Sequence, residues 1–210
     1  MRRNLSPAEI RVLGCLIEKQ RTTPDAYPLT LNSLLLASNQ STNRDPVVDY
    51  DEATVREALG ELGRRRWIRS ASGHGGRTLK YRHLLADELP LPNAEMAVLA
   101  VLMLRGAQTP GELKQRAERL HSFAGVGEVL EALDSLIDRE LVRRLDRRPG
   151  QKEERYEHLL AADLEDDDAD PAAEPTATVP AVGPDVASEL AELRSRIERL
   201  EQRLDALDRG

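Results

Sequence analysis

Leu5-Ser6-Pro7-Ala8-Glu9 and, 86 residues later, Leu91-Pro92-Asn93-Ala94-Glu95 open two stretches that read as copies of one unit. The same offset carries Val12, Leu13 and Leu16 onto Val98, Leu99 and Leu102, and Thr23-Pro24 onto Thr109-Pro110. Further on, Glu57-Ala58-Leu59 matches Glu131-Ala132-Leu133, and Trp67-Ile68-Arg69 matches Leu141-Val142-Arg143, at an offset of 74. Tyr81, His83, Leu84 and Leu85 match Tyr156, His158, Leu159 and Leu160 at an offset of 75. Ordered matches at nearly constant offsets mark internal repetition. They predict two related domains, 5–88 and 91–160, the second shorter by 11 residues lost mainly between its second and third helices.

Each copy carries the same order of signals. Ser6-Pro7-Ala8-Glu9 is a capping box with proline at the first helical position, opening a helix with Ile10, Leu13, Leu16 and Ile17 on one face. A leucine-rich second helix runs from Thr30 to about Ala37, and a third begins near Asp51, burying Val55, Leu59 and Leu62. Trp67 to Ala71 and Thr78 to Leu84 then read as strands around Ser72-Gly73-His74-Gly75-Gly76, a hairpin signal. The second copy repeats this with helices over Ala94–Leu104, after Thr109-Pro110-Gly111-Glu112, and over Val126–Arg139. Its strands, Leu141–Leu145 and Glu154–His158, flank Pro149-Gly150. Three helices followed by a hairpin is the winged helix-turn-helix order. The expected fold is therefore mainly α with small β-hairpins, as two tandem winged helix-turn-helix domains.

The remaining 50 residues differ in kind. Residues 161–185 join an acidic run, Asp163 to Asp170, to alternating Ala, Pro, Thr and Val with no helical period. Such a segment buries too little apolar surface to offset its ordering entropy, which predicts a disordered linker. Over 186–208, Leu190, Leu193, Ile197, Leu200, Leu204 and Leu207 keep an unbroken 3-4 spacing, a coiled-coil seam. In a parallel pair the flanking positions would match Glu189 with Arg194, Arg196 with Glu201 and Arg203 with Asp208, all opposite in sign. A parallel homodimer is expected, against the alternative that this helix folds back on its own domains.

Catalytic chemistry finds no footing. His74, His83, His121 and His158 lack metal-ligand spacing with one another or with Cys15, and there is no phosphate loop or nucleophile elbow. No enzyme activity, metal or cofactor is expected. A lone cysteine precludes an intramolecular disulfide. No apolar run reaches the roughly 20 residues of a membrane span. Residues 1–20 hold no secretory core, so a cytoplasmic location is expected.

A winged helix suggests nucleic acid. The net charge of −7, taken whole, opposes this, but it resolves into +3 for residues 1–90, −1 for 91–160 and −9 for 161–210. The acidity belongs to the linker and tail. Arg64, Arg65 and Arg69 around the end of the third helix, with Arg77, Lys80 and Arg82 on the returning strand, form a basic rim suited to phosphates. Asn43 and Arg44, in the polar stretch Asn39-Gln40-Ser41-Thr42-Asn43-Arg44-Asp45-Pro46, are further candidates. Against this, Asp51, Glu52, Glu57 and Glu61 lie on or beside the third helix. The expectation is a regulator-like protein contacting double-stranded DNA through arginine-rich wings; the alternative is a non-catalytic scaffold whose winged helices dock a protein partner.

Gly14-Cys15-Leu16-Ile17-Glu18-Lys19-Gln20, Thr22-Thr23-Pro24, Tyr27-Pro28-Leu29, Asn39-Gln40, Asn43-Arg44-Asp45-Pro46-Val47 and Arg105-Gly106-Ala107-Gln108-Thr109-Pro110-Gly111-Glu112-Leu113 resemble the signature of the bacterial YceH family. The resemblance covers about residues 5–160 and implies a tandem winged-helix fold in a cytoplasmic bacterial protein. It brings no catalytic or ligand residues with it.

Overall fold

In the computed structural model the described residues are 4–72, 78–147 and 153–161. The chain divides into two units, residues 1–165 and 166–210. The linker and the heptad leucines from Leu190 to Leu207 lie outside the described residues, as do Arg77 and both hairpin tips.

The first unit is mainly helical with two small antiparallel sheets. Its first copy runs α1 (Pro7–Thr22), a 3-10 turn (Pro24–Ala26), β1 (Leu29–Thr30), α2 (Leu31–Ser38), α3 (Glu52–Arg64), β2 (Ile68–Ser72) and β3 (Leu79–His83). A short helix, α4 (Leu85–Glu88), leads into the second copy: α5 (Asn93–Arg105), α6 (Pro110–Ala117), α7 (Val126–Asp138), β4 (Val142–Leu145) and β5 (Arg155–His158). The sheets are ordered β1-β3-β2 and β4-β5.

Local chemistry fixes the helix ends. Ser6 Oγ accepts from Glu9 N at 3.2 Å while Glu9 Oε2 accepts from Ser6 N at 2.7 Å, the reciprocal capping box. Thr109 and Glu112 build the same box on α6, at 3.3 and 2.9 Å. Single caps open α2 (Thr30) and α3 (Asp51). Both third helices stop in the same way: Arg66 and Glu140 take positive φ of 62° and 54°. Trp67 N then donates to Leu62 O, and Leu141 N to Leu136 O, closing two six-residue C-terminal turns.

These ends register the copies differently from the expectation based on Thr23-Pro24. Thr109 caps the second helix of its copy, and its structural equivalent is Thr30, 79 residues earlier, which caps α2. Leu29 pairs with Tyr81 as Gln108 pairs with Tyr156, confirming this register. The offset therefore falls from 86 to 79 before the second helix and from 79 to 74 before the third. The shortening is spread over two connections, and the larger loss precedes the second helix.

The two copies share one core. Ile10 to Ile17 on α1 and Met96 to Leu104 on α5 are buried without interruption, because each helix packs both on its own copy and on the other. Gly14 sits at the crossing. A Cβ there would stand 2.9 Å from Leu104 Cδ2 and 3.3 Å from Met103 Cβ, so only hydrogen admits α5 this closely. Leu5 N donates to Leu160 O at 2.9 Å, tying the start of the first copy to the end of the second.

Candidate functional site

Strand alternation sorts the first hairpin into two faces. Ile68 pairs with His83 and Ser70 with Tyr81 across β2 and β3, and Ile68 and His83 are buried in the core. Arg69, Lys80 and Arg82 fall on the opposite face and are exposed. Arg69 stands directly across from Arg82. Among the described residues none of these three cations forms an ion pair with a carboxylate. Like charges directly opposed across strands are unfavourable in isolation, and an anion laid on that face removes the penalty.

The second hairpin occupies the corresponding position in its copy, but its cations are paired. Its equivalent cross-strand pair is Arg143 and Glu157, and the two form an ion pair. Arg144 and Arg147 both reach Glu154, at 3.1 and 3.6 Å. Four cations on or beside β4 and β5 are thereby matched by carboxylates or carbonyls, Arg155 donating to Ala107 O.

The other expected phosphate contacts are placed differently. Arg64 is exposed and paired with Glu61 one turn back. Arg65 points into the scaffold: its Nε lies 3.3 Å from the buried Glu9 carboxylate and its Nη2 donates to Asn4 O at 3.0 Å. Arg139 repeats this in the second copy, donating to Pro90 O at 3.1 Å and reaching Glu95 Oε2 at 3.5 Å. An arginine at the end of each third helix thus pins the start of each first helix. Arg65 is a structural residue held at the surface edge.

Arg44 is the clearest correction. Its side chain is completely buried, so no phosphate reaches it. Nη2 donates to Glu18 Oε2 at 2.6 Å and Gln40 Oε1 at 3.0 Å, Nη1 to Asn43 O at 2.8 Å, and Nε to Ala37 O at 3.1 Å. Arg11, also buried, donates to Ser38 O and Pro46 O, at 3.3 and 2.6 Å. Asn39 bridges to Tyr50 through both N and O, at 2.9 and 2.8 Å. The polar stretch is a loop folded around two buried guanidinium groups. Only Asn43 of the two candidates there is exposed, with φ 58° and its Oδ1 accepting from Arg105 at 3.1 Å.

The titratable groups fall into structural settings. His83 is buried with Nε2 2.6 Å from Gln20 Oε1, and burial, helped by the Arg21 charge, lowers its pKa to about 4. Burial also lowers His158 and raises the Cys15 thiol. His121 lies 3.2 Å from Glu128 at the entry to α7. Among the described residues no group of three or more His, Cys, Asp or Glu side chains is assembled for a metal ion. No helix among them is long and apolar enough to cross a membrane.

Each copy also has a cleft between the start of its second helix, the first turns of its third helix and its hairpin. The first is about 490 Å³, lined by Leu31, Glu52, Arg56, Leu79 and Tyr81. The second is about 260 Å³, lined by Pro110, Val126, Leu130 and Tyr156. Glu52 and Arg56 form an ion pair on α3, whereas the equivalent Val126 and Leu130 on α7 are 42% and 38% exposed apolar side chains. Sequence reasoning missed both clefts, since their walls come from three separate segments.

Residues 5–151 match the family described as "Protein of unknown function, DUF480". A UPF0502 protein of Serratia proteamaculans (strain 568) is 47% identical over 173 residues, covering 79% of this chain and 81% of that protein.

Proposed function

The chain belongs to the DUF480 family, and we propose that it is a duplex-DNA-binding, regulator-like protein built from two tandem winged helix-turn-helix domains. The helix-helix-helix-hairpin order in both copies supports the fold, as does the resemblance to the YceH family. The observation that carries the function is the cross-strand pairing of Arg69 with Arg82, beside Lys80, on an exposed face without carboxylates. The second hairpin, with Arg143 and Glu157 in the equivalent places, lacks this property. The contact proposed is to the phosphate backbone, which positive charge alone serves and which fixes register without reading bases. The heptads of 186–208 would join two such chains in a parallel coiled coil.

Fluorescence anisotropy of full-length protein with a labelled duplex tests this across a salt series. Three phosphate contacts give a log–log salt slope near −2.7 per chain, at roughly −0.9 per contact. Replacing Arg69 and Arg82 together by Ala removes about two-thirds of that slope. No binding at low salt, or an unchanged slope in the double variant, would overturn the reading.

One observation favours a protein-docking scaffold as the second reading: Val126 and Leu130 present an exposed apolar pair beside the second cleft. A stoichiometric partner recovered equally with and without nuclease, and lost on Val126→Glu, selects it.

A further inference from the structure

Away from the hairpins, a second cationic feature lies where the two copies meet. The end of α1, the loop after α2, the end of α5 and the segment after α6 enclose a cavity of about 40 Å³. Arg105, Arg116 and Arg119 line it together with Asn43, over an apolar floor that includes Leu104. The cavity is far smaller than either hairpin cleft, a size that points to a small anion.

The donors there are incompletely used. The Arg105 Nε is buried and has no hydrogen-bond partner, although its Nη1 reaches Asn43. A buried, unsatisfied guanidinium N–H costs free energy that a bound acceptor would recover. Arg119 is exposed and, among the described residues, forms no ion pair. Arg116 holds Glu112 at 3.2 Å. Among the described residues the one carboxylate lining the cavity is Glu18, and it is already paired with Arg44 at 2.6 Å and Lys19 at 3.6 Å. Burial first, and the neighbouring Arg116 guanidinium second, depress the Arg105 pKa against the opposing carboxylates of Asp45 and Glu112.

We propose that this cavity binds a small free oxyanion of the phosphate type, held by Arg105, Arg116 and Arg119. Bound there, it would bridge the loop after α2 to α5 and α6, and so couple the two copies at a point where the hairpins play no part.

The test is thermal unfolding of the full-length protein titrated with inorganic phosphate, with chloride keeping ionic strength constant. The expected result is a saturable rise in Tm, roughly 3–6 °C at ten times the dissociation constant. Arg119→Ala should move the midpoint about tenfold higher without lowering Tm in the absence of phosphate, and Arg69→Ala should leave the midpoint alone. No saturable rise, or the same midpoint in Arg119→Ala as in the unaltered protein, overturns the proposal. So does an absent phosphate response combined with weaker duplex binding by Arg119→Ala, which would make these arginines part of the duplex footprint. Loss of duplex binding alone, with the phosphate response intact, overturns only the hairpin reading.

Discussion

Arg82→Glu should strengthen the fold and weaken duplex binding at once. The substitution converts the Arg69–Arg82 cross-strand pair of β2 and β3 into the arrangement that Arg143 and Glu157 already form across β4 and β5. Removing a like-charge pair and creating an opposite one are each worth about 0.2–1 kcal/mol at directly opposed positions. Solvent exposure of both side chains keeps the sum toward the low end. A gain of about 0.5–1.5 kcal/mol raises Tm by roughly 1–5 °C for a chain of this length. In binding, Arg82 is lost and Arg69 becomes engaged, leaving Lys80 as the remaining cation of the three. The salt slope should drop from about −2.7 to about −0.9 per chain. Thermal unfolding and salt-titrated anisotropy on the same preparation read both effects. A lower Tm would refute the claim that the two arginines repel across an open face. An unchanged slope would show that the phosphates are bound elsewhere.

Arg44→Ala leaves Glu18 without its main partner and Ala37 O without a donor, and should cost about 3–5 kcal/mol by denaturant unfolding; a loss below about 1 kcal/mol would contradict the buried network. Gly14→Val drives a side chain into Leu104 at the α1–α5 crossing and should destabilise by about 1–3 kcal/mol, read as a lowered Tm, whereas an unchanged Tm would mean the helices separate freely. His83 titrates near its ordinary value of about 6.5 when unfolded and at about 4 when folded, so the unfolded chain binds the proton first. Stability is therefore complete above pH ~6.5 and falls as pH drops toward 4, by about 3 kcal/mol from this residue, and His83→Gln should flatten that part of the stability profile.

Helix starts were legible because they depend on neighbours three residues away: the Ser6 and Thr109 boxes and the Asp51 cap all lie where their side chains indicate. The hairpins were legible from their turns, Ser72-Gly73-His74-Gly75-Gly76 and Pro149-Gly150, set between short strand-like runs. Strand β1 was not, because two residues carry no period, and its pairing with Tyr81 and Lys80 is decided 50 residues downstream. Long basic side chains were the least readable. Arg44, Arg65 and Arg69 look alike in sequence, yet one is buried on Glu18, one pins Glu9, and one faces Arg82. What separates them is a tertiary neighbour in each case. A usable signal did exist for Arg65: the repeat places Glu9 over Glu95 and Arg65 over Arg139, so both ends of the pin recur.

The duplication thus acts as an internal control. Features that recur in both copies, such as the arginine pin and the left-handed residues Arg66 and Glu140, answer to a fold requirement common to both. Features present in one copy alone are not required by the shared fold and, where they lie exposed and unpaired, are free to serve something outside it. By that criterion the unpaired Arg69–Arg82 face belongs to the first copy alone, and the exposed Val126–Leu130 pair to the second alone. The copies are then not two equivalent duplex-binding modules. Among the described residues a single chain offers one hairpin with unpaired cations, so under the proposed function bivalent engagement of a duplex would require two chains rather than two repeats. That is the arrangement a parallel pairing of the 186–208 heptads would supply. Truncation at Ala161 should accordingly leave the intrinsic hairpin contact intact while halving the observed salt slope, if the heptads are what brings the second hairpin to the same duplex. An unaltered slope on truncation would instead mean that one chain accounts for all the phosphate contacts.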